Sequence, residues 1–452
     1  MSELRSNIQP RLFFIAMMTA SVLLNEKVYS DDWAGWLGDH RDGVLKESGL
    51  IEAIPDSGLR IKWKKAIHGG YAGPAAADGK VFVFDYVRDS GELMNDPGKR
   101  VSMTGKERLL VLDQATGETV WEYQYDRPYE ISYPSGPRCT PTIDGDRVYL
   151  LGAEGDLICL SAKDGKLIWK RNFPSDFSAE VPIWGFSAHP LVDGDLLYTM
   201  VGGTGQGVVA FNKMTGKVAW KALDVKAGYC PPRMIEAGGE RQLVVFHPEG
   251  VQGLDPASGK PYWDVPMKPS YEMSIAQPMV EGDLMYVSSI HTEAVLIRLG
   301  KETPSAEELW RGEAKNAVHC SNAPPVFVDG VIYGTDCLQG DLIAVDASNG
   351  DRIWKTFAPT KPDEKRFIRH GTAFITRIGD SDRYFLMSEN GDLIMARLTR
   401  DGYEELGRMH VVDPTNESFG RPVVWSHPAY SGKTAFIRND SEIVAVDLSA
   451  DQ

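Results

Sequence analysis

The stretch 152-GAEGDLICLSAKDGKLIW-169 decides the fold, because the chain repeats its pattern. An alternating apolar run leads into a Lys-Asp-Gly turn, and a second short run ends on Trp. The same pattern returns in 203-GTGQGVVAFNKMTGKVAW-220 and in 338-LQGDLIAVDASNGDRIW-354. Gly stands four residues before Trp in five copies, namely Gly117 and Trp121, Gly165 and Trp169, Gly216 and Trp220, Gly259 and Trp263, and Gly350 and Trp354. A fixed internal spacing of this kind indicates a repeat architecture.

Three weaker copies complete the series. Trp310 ends a unit in which a longer loop replaces the turn, and the segment around Leu406 keeps the turn but lacks Trp. The C-terminal HPAYSGKTAFIRNDSEIVAVDL contains three strand-like runs and then the chain stops. The fourth run stands at the other end of the chain, in LRIKWKKAI at residues 59–67, which contains Trp63. We therefore count eight units.

Each unit carries about four alternating runs of ~5 residues separated by Gly, Asp and Asn, a pattern typical of strands and hairpins. One such sheet cannot bury both faces, whereas sheets stacked in a closed ring can. The sequence predicts an all-β, eight-bladed β-propeller of four-stranded antiparallel blades, with the last blade closed by the N-terminal strand. The predicted domains are a signal peptide at 1–30, an extension at 31–58 and a single propeller at 59–452.

The recurring Trp residues are predicted to be structural. At the end of an outer strand, a Trp ring can lie across the seam between neighbouring blades and bury on the order of 200 Å². The preceding Gly supplies the positive φ that a tight turn needs. We assign this inter-blade role to Trp63, Trp121, Trp169, Trp220, Trp263, Trp310 and Trp354.

The N-terminus has the features of an export signal. Arg5 and Arg11 precede an apolar stretch at residues 12–24, and Val28 and Ser30 occupy the −3 and −1 positions of a predicted cut. A buried helix or a membrane anchor is the alternative, but the stretch is shorter than the ~20 residues that a spanning helix needs. We predict an exported protein, periplasmic or extracellular, with no transmembrane segment in the mature chain.

Charge and cysteine content narrow the partners and the chemistry. The net charge of −15 disfavours nucleic acid, because phosphate binding needs clustered Lys and Arg. The five cysteines are all separated in sequence, and none has the spacing of a metal-ligand pair; no metal site is predicted. We interpret them as small buried side chains, with their pairing left open.

The repeat resembles that of the PQQ-like β-propeller family of exported bacterial proteins. The resemblance rests on the unit openings ADGKVFV, VDGDLLY and VDGVIYG, and on WAGWLGDHRDGV at residues 33–44. It implies the propeller fold, and it implies one of two functions. Quinoprotein dehydrogenases of the family hold pyrroloquinoline quinone and calcium on the axis beneath adjacent cysteines, which this sequence lacks. Other members are scaffolds, including a lipoprotein of the outer-membrane protein assembly machine.

Polar residues just before each unit opening should begin the innermost strands and line the channel. Among them, His189, Gln277 and His427 each precede a Pro, which predicts equivalent positions around the axis. The predicted ligand-binding residues at the channel mouth are His68, Tyr71, Arg138, Trp184, His189, Gln277, His319, His370, Trp425 and His427. They would suit a small ligand or a peptide tail, although a polar, water-filled channel without a ligand would look the same. No catalytic set can be defined.

A long insertion at residues 86–108 lengthens the first unit. Inserted loops often carry binding function, and a disordered loop is equally compatible with its composition. The predicted function is a non-enzymatic binding or scaffold module without a cofactor, which contacts a protein or polysaccharide partner through the mouth loops. The alternative is a quinoprotein-type oxidoreductase that binds pyrroloquinoline quinone with calcium.

Overall fold

The computed structural model describes residues 32–291, 293–361 and 368–450. The predicted signal peptide lies outside these residues. Eight four-stranded antiparallel sheets follow one another around a channel, and none of the four strands of a sheet is shorter than its innermost strand. Innermost strands that follow one another in the ring contact each other, for example Ala75–Ala77 with Thr142–Asp144 and Met279–Glu281 with Val326–Val328. The described part of the chain contains no helix with the length and apolarity that a bilayer crossing requires.

We number the blades by the chain order of their innermost strands. The strands are given from the channel outwards. Blade 1 consists of Ala75–Ala77, Lys80–Ser90, Val101–Asp113 and Thr119–Asp126, and blade 2 of Thr142–Asp144, Arg147–Leu151, Asp156–Ser161 and Leu167–Asn172. Blade 3 consists of Leu191–Asp193, Leu196–Met200, Val208–Asn212 and Val218–Ala222, and blade 4 of Arg233–Ala237, Glu240–His247, Gly250–Leu254 and Pro261–Pro266. Blade 5 consists of Met279–Glu281, Leu284–Ser288, Ala294–Leu299 and Ala306–Arg311, and blade 6 of Val326–Val328, Val331–Thr335, Leu342–Asp346 and Arg352–Thr356. Blade 7 consists of Ala373–Ile378, Arg383–Ser388, Asp392–Thr399 and Gly402–His410, and blade 8 of Ala429–Tyr430, Thr434–Arg438, Glu442–Asp447 and Ile61–Ala66.

Minor elements lie outside this pattern. Val44–Leu45 runs parallel to the innermost strand of blade 7, and Tyr129–Ile131 extends blade 1. The hairpin of Asn416–Ser418 and Arg421–Val423 stands between blades 7 and 8. The helical elements in the described chain are the one-turn helix Phe173–Phe177 and the 3₁₀ turn Ser270–Glu272.

The chain ends close the ring, as predicted. Ile61–Ala66 pairs antiparallel with Glu442–Asp447 and forms the outermost strand of blade 8. The fully buried Arg438 of blade 8 reaches blade 1, where it donates to the carbonyl oxygen of Phe84 at 3.0 Å. The eight-bladed prediction, including its split last blade, is confirmed.

The Trp–Gly spacing has a direct structural counterpart at the blade seams. The Trp of one blade lies over the turn Gly of the next, so that a Cβ on Gly117, Gly165, Gly216 or Gly259 would come within 2.6 Å of the preceding blade's Trp ring. Five indole N–H groups also donate to a carbonyl oxygen of the following blade, those of Trp63, Trp169, Trp220, Trp310 and Trp354. The ring of Trp121 contacts Gly165, but its indole N–H has no hydrogen-bond partner among the described residues. The indole N–H of Trp263 donates to the side chain of Gln242 within its own blade.

The N-terminal extension crosses one end of the channel. Trp33 pairs with Ala76 of blade 1, and the carbonyl oxygen of Ala34 accepts from the N–H of Ile143 in blade 2. Arg41 donates to the carbonyl oxygens of His189 and Pro232, at 3.4 and 3.3 Å, and to that of Pro190. Residues 33–43 thus touch blades on several sides of the axis, and we call them the N-terminal plug.

The insertion of blade 1 forms an ordered hairpin. Its two strands stay paired from Tyr86 with Glu107 as far as Ser90 with Thr104. The hairpin tip at Pro97 and Gly98 reaches the channel mouth. Of the two alternatives for this insertion, a disordered loop is therefore wrong for its paired part.

All five cysteines are buried and unpaired. Burial raises the pKa of the Cys337 thiol to about 12, which keeps it protonated at neutral pH. We expect a thiol-reactive chromophore to label none of the five in the native protein and all five after denaturation. Reductant should leave the melting temperature unchanged, and a drop in melting temperature on reduction would contradict this arrangement.

Candidate functional site

The candidate site is a cavity at one end of the channel. Because the strands of a blade alternate in direction, the segments that precede the innermost strands lie at the same end as the loops between the second and third strands. These segments from all eight blades surround a cavity of about 510 Å³, opposite to the end that the N-terminal plug enters. We call this cavity the mouth pocket.

Seven of the ten predicted ligand-binding residues line the mouth pocket: Tyr71, Arg138, Trp184, His189, His370, Trp425 and His427. The other three lie elsewhere. His68 is exposed outside the pocket, and Gln277 lies below it, where its side chain donates to the carbonyl oxygen of Arg41 at 2.7 Å. His319 is fully buried in blade 6, beside Asp336 at 3.4 Å.

The pocket floor is built by the plug. Trp36 lies between His189 and His427, with ring centroids 4.1 and 4.0 Å apart. Only 8% of Trp36 and 5% of His189 are exposed. The two histidines that precede a Pro thus contact the same indole ring, and Gln277, the third residue of that set, holds the plug at Arg41.

Aromatic rings form the walls. Trp184 packs against Tyr229 with centroids 5.5 Å apart, and Tyr133 lies 6.2 Å from Trp425. Sequence reasoning missed the aromatic residues Trp36, Tyr133, Tyr229, Tyr271 and Phe419, together with His291 and Asn322. All except Trp36 and His291 stand in the segments between a closing strand and the next innermost strand. These lining residues could have been predicted if the whole segment before each innermost strand had been taken as pocket-forming, and not only its last few residues.

The cations at the pocket differ in their freedom to bind. Arg138 donates to the backbone carbonyl oxygens of Trp184, Ser132, Tyr133 and Gly136, so its guanidinium group is committed to holding the mouth loops. Arg369 is exposed at the rim. The described lining contains no Asp or Glu.

The histidines of the pocket are uncharged at neutral pH. Burial lowers the pKa of His427 to about 3 and that of His370 to about 4. Burial also lowers the pKa of His189 well below its ordinary value, with further contributions from Arg41 and His427. The pocket therefore presents neutral imidazoles, which donate one hydrogen bond and accept another.

These shifts predict acid sensitivity. An unfolded His titrates near about pH 6.5, so below that pH the unfolded chain binds protons that folded His189 and His427 refuse. Stability should then fall as the pH drops from about 6.5 toward the folded-state pKa values. We expect His189→Phe to flatten this decline, measured as the melting temperature between about pH 7 and pH 4.

His410→Phe is the matched control for this prediction. His410 is half exposed, and its neighbours Asp392 and Asp413 raise its pKa. Because a raised His pKa stabilises the folded state in acid, removing His410 should not reduce the acid loss. An unchanged slope in His189→Phe would contradict the prediction.

The donor set does not fit the calcium–quinone centre that the resemblance offered as an alternative. Calcium takes six to eight oxygen ligands, mainly from carboxylates and carbonyls, and the described lining has no carboxylate. Among the described residues, no group of three or more His, Cys, Asp or Glu could hold a metal ion. No two cysteines are adjacent in sequence.

Curated relatives carry two kinds of name. Quinohemoprotein alcohol dehydrogenase ADH IIB of Pseudomonas putida is 28% identical over 192 residues, which are 40% of this chain and 25% of that protein. Outer membrane protein assembly factor BamB is 26% identical over 275 residues in Yersinia pestis, covering 56% of this chain and 62% of that protein. The BamB of Burkholderia pseudomallei (strain K96243) is 26% identical over 376 residues, which cover 74% of this chain and 91% of that protein. The chain thus spans a quarter of the first relative and less than two thirds of the second.

Solved structures support the fold. BamB from Moraxella catarrhalis superposes with a TM-score of 0.55 at 13% identity, covering 86% of this chain and 97% of that one. Quinohemoprotein alcohol dehydrogenase from Comamonas testosteroni superposes with a TM-score of 0.60 at 12% identity, covering 93% of this chain and 81% of that one. A family model described as outer membrane protein assembly factor BamB matches residues 105–356 and 278–452, and so covers most of the chain. The chain therefore belongs to this PQQ-repeat β-propeller family, as the resemblance implied.

Proposed function

We propose that this protein is an exported, non-enzymatic binding module that holds one end of a partner molecule in the mouth pocket. The observation that carries the proposal is the pocket itself. It combines aromatic walls and neutral histidines with a lining that has no carboxylate among the described residues. Such a lining offers binding area and hydrogen bonds, but no paired acid and base or activated nucleophile.

The names of the relatives agree with a binding role. Two of the relatives reported above, which match 56% and 74% of this chain, are named outer membrane protein assembly factors. The positively charged start and the apolar stretch at residues 12–24 support export from the cytoplasm. A protein or polysaccharide partner that contacts the mouth loops agrees with both observations.

Site-specific photocrosslinking in cells tests the proposal. A photoreactive phenylalanine analogue would replace Tyr271, which is 74% exposed at the pocket rim. The control position is Asp146, whose side chain is 85% exposed at the opposite end of blade 2. We expect a discrete adduct from position 271 that Trp184→Ala weakens, and none from position 146. Equal labelling at both positions would overturn the proposal.

A quinoprotein-type oxidoreductase is the second candidate, favoured by the pocket on the channel axis and by the relative that is named a quinohemoprotein alcohol dehydrogenase. Since the described part of the lining has no carboxylate to bind calcium, we expect pyrroloquinoline quinone, with or without calcium, to produce no saturable rise in melting temperature. A saturable rise that is lost in the double variant His189→Ala, His427→Ala would instead support the oxidoreductase.

A further inference from the structure

The pocket floor carries buried polar atoms that have no hydrogen-bond partner among the described residues. Nε1 of Trp36, both ring nitrogens of His189 and Nε2 of His427 are buried and make no hydrogen bond within the described chain. All three residues line the mouth pocket. Buried polar atoms without partners are unfavourable, so a molecule that fills this pocket gains most if it supplies their hydrogen bonds.

The floor is neutral, which restricts the chemistry of such a molecule. A neutral imidazole both donates and accepts, and the indole N–H donates. Hydroxyl groups match this set, because each of them donates and accepts as well. An ionised carboxylate or phosphate oxygen only accepts, so it would leave the acceptor nitrogens of the neutral imidazoles without a donor. The nearby guanidinium groups of Arg41 and Arg138 are occupied by backbone carbonyl oxygens.

The walls add broad aromatic faces above this floor. Trp184, Tyr229, Tyr133 and Trp425 form two ring pairs, and Tyr71 lies within 6.5 Å of Tyr133. A pyranose ring presents C–H groups that pack on aromatic faces and hydroxyl groups along its edge. The cavity of about 510 Å³ falls within the range of pockets for ligands of drug-like size, about 300–1,000 Å³.

We propose that the mouth pocket binds the end of a neutral oligosaccharide, with sugar rings against the aromatic walls and hydroxyl groups bonded to Trp36, His189 and His427. This inference rests on the proposed function and names its ligand class. Apolar peptide side chains would fill the walls but offer no hydrogen bond to the floor, and a peptide amide donates only through its N–H and accepts only through its C=O, whereas each sugar hydroxyl does both. Besides Arg138, the described lining offers an acidic saccharide one guanidinium group, that of Arg369, which is exposed at the rim and screened by solvent.

Isothermal titration of the purified chain tests the inference. The neutral probes are maltotriose, cellotriose and triacetylchitotriose; the comparison probes are trigalacturonic acid and a tripeptide of Phe and Ala capped at both ends. We expect saturable binding of at least one neutral trisaccharide. His189→Phe keeps the ring against Trp36 but removes both nitrogens, and Trp184→Ala removes a wall, so each should weaken binding about tenfold or more.

Controls separate binding from folding. His410→Phe lies outside the pocket and should bind with unchanged affinity, and every variant should retain the circular dichroism spectrum of the parent chain. Binding of the acidic trisaccharide or the peptide, without any neutral trisaccharide, would overturn the sugar assignment and leave the binding function standing. The sugar assignment also falls if no probe binds while position 271 still forms its adduct. If no probe binds and no adduct forms, the proposed function falls as well.

Discussion

Gly165→Ala is expected to lower the free energy of unfolding by about 2–4 kcal/mol, the sum of backbone strain and steric overlap. Gly165 has a φ of +70°, and a Cβ there would lie 2.6 Å from the ring of Trp121 in the preceding blade. The ring is held by its own blade, so it can move aside only by opening the seam. Denaturant unfolding followed by circular dichroism measures the loss.

Gly145→Ala separates the two causes. Gly145 lies in the same blade with a φ of +57°, but a Cβ there meets no atom within 4 Å. It should therefore lose only the backbone contribution, about 1–2 kcal/mol. Equal losses in the two variants would mean that the Trp–Gly contact contributes nothing to the seam.

This contact explains why the fold was readable from the sequence. Gly165 and Trp169 stand four residues apart in one strand hairpin, yet each works at a different seam: Gly165 receives Trp121 of the previous blade, and Trp169 lies over Gly216 of the next. A repeated local spacing thus encodes a repeated contact between blades. The closure by Ile61–Ala66 was predictable for the same reason, since its Trp63 completes the series at Gly117.

The site was only partly predictable, because it breaks the repeat. His319 and His370 both precede an innermost strand, but His319 turns into blade 6 beside Asp336 whereas His370 lines the pocket. Their sequence context does not distinguish these outcomes, which depend on how far each loop runs before its strand begins. Trp36 was visible as part of the opening motif, but its position between two histidines far along the chain has no sequence signal.

Trp36→Ala is expected to cost about 3–5 kcal/mol of unfolding free energy, the usual range for truncating a buried Trp. Its indole N–H has no partner in the described chain, so the expected loss comes from packing, which includes the ring contacts with His189 and His427. Trp184→Ala is the matched control, because that ring is only partly buried at the rim. It should lose clearly less stability in the same denaturant experiment.

Amide hydrogen exchange distinguishes local release of the N-terminal plug from weakening of the whole ring. The N–H of Trp33 bonds to the carbonyl oxygen of Ala76, and the N–H of Ile143 bonds to that of Ala34, both at 2.7 Å. If Trp36 anchors the plug, these two amides should exchange faster in Trp36→Ala, while the amide of Ala445 in the closing blade stays protected. Unchanged exchange at Trp33 and Ile143, together with a stability loss no larger than that of Trp184→Ala, would show that the plug is held without Trp36.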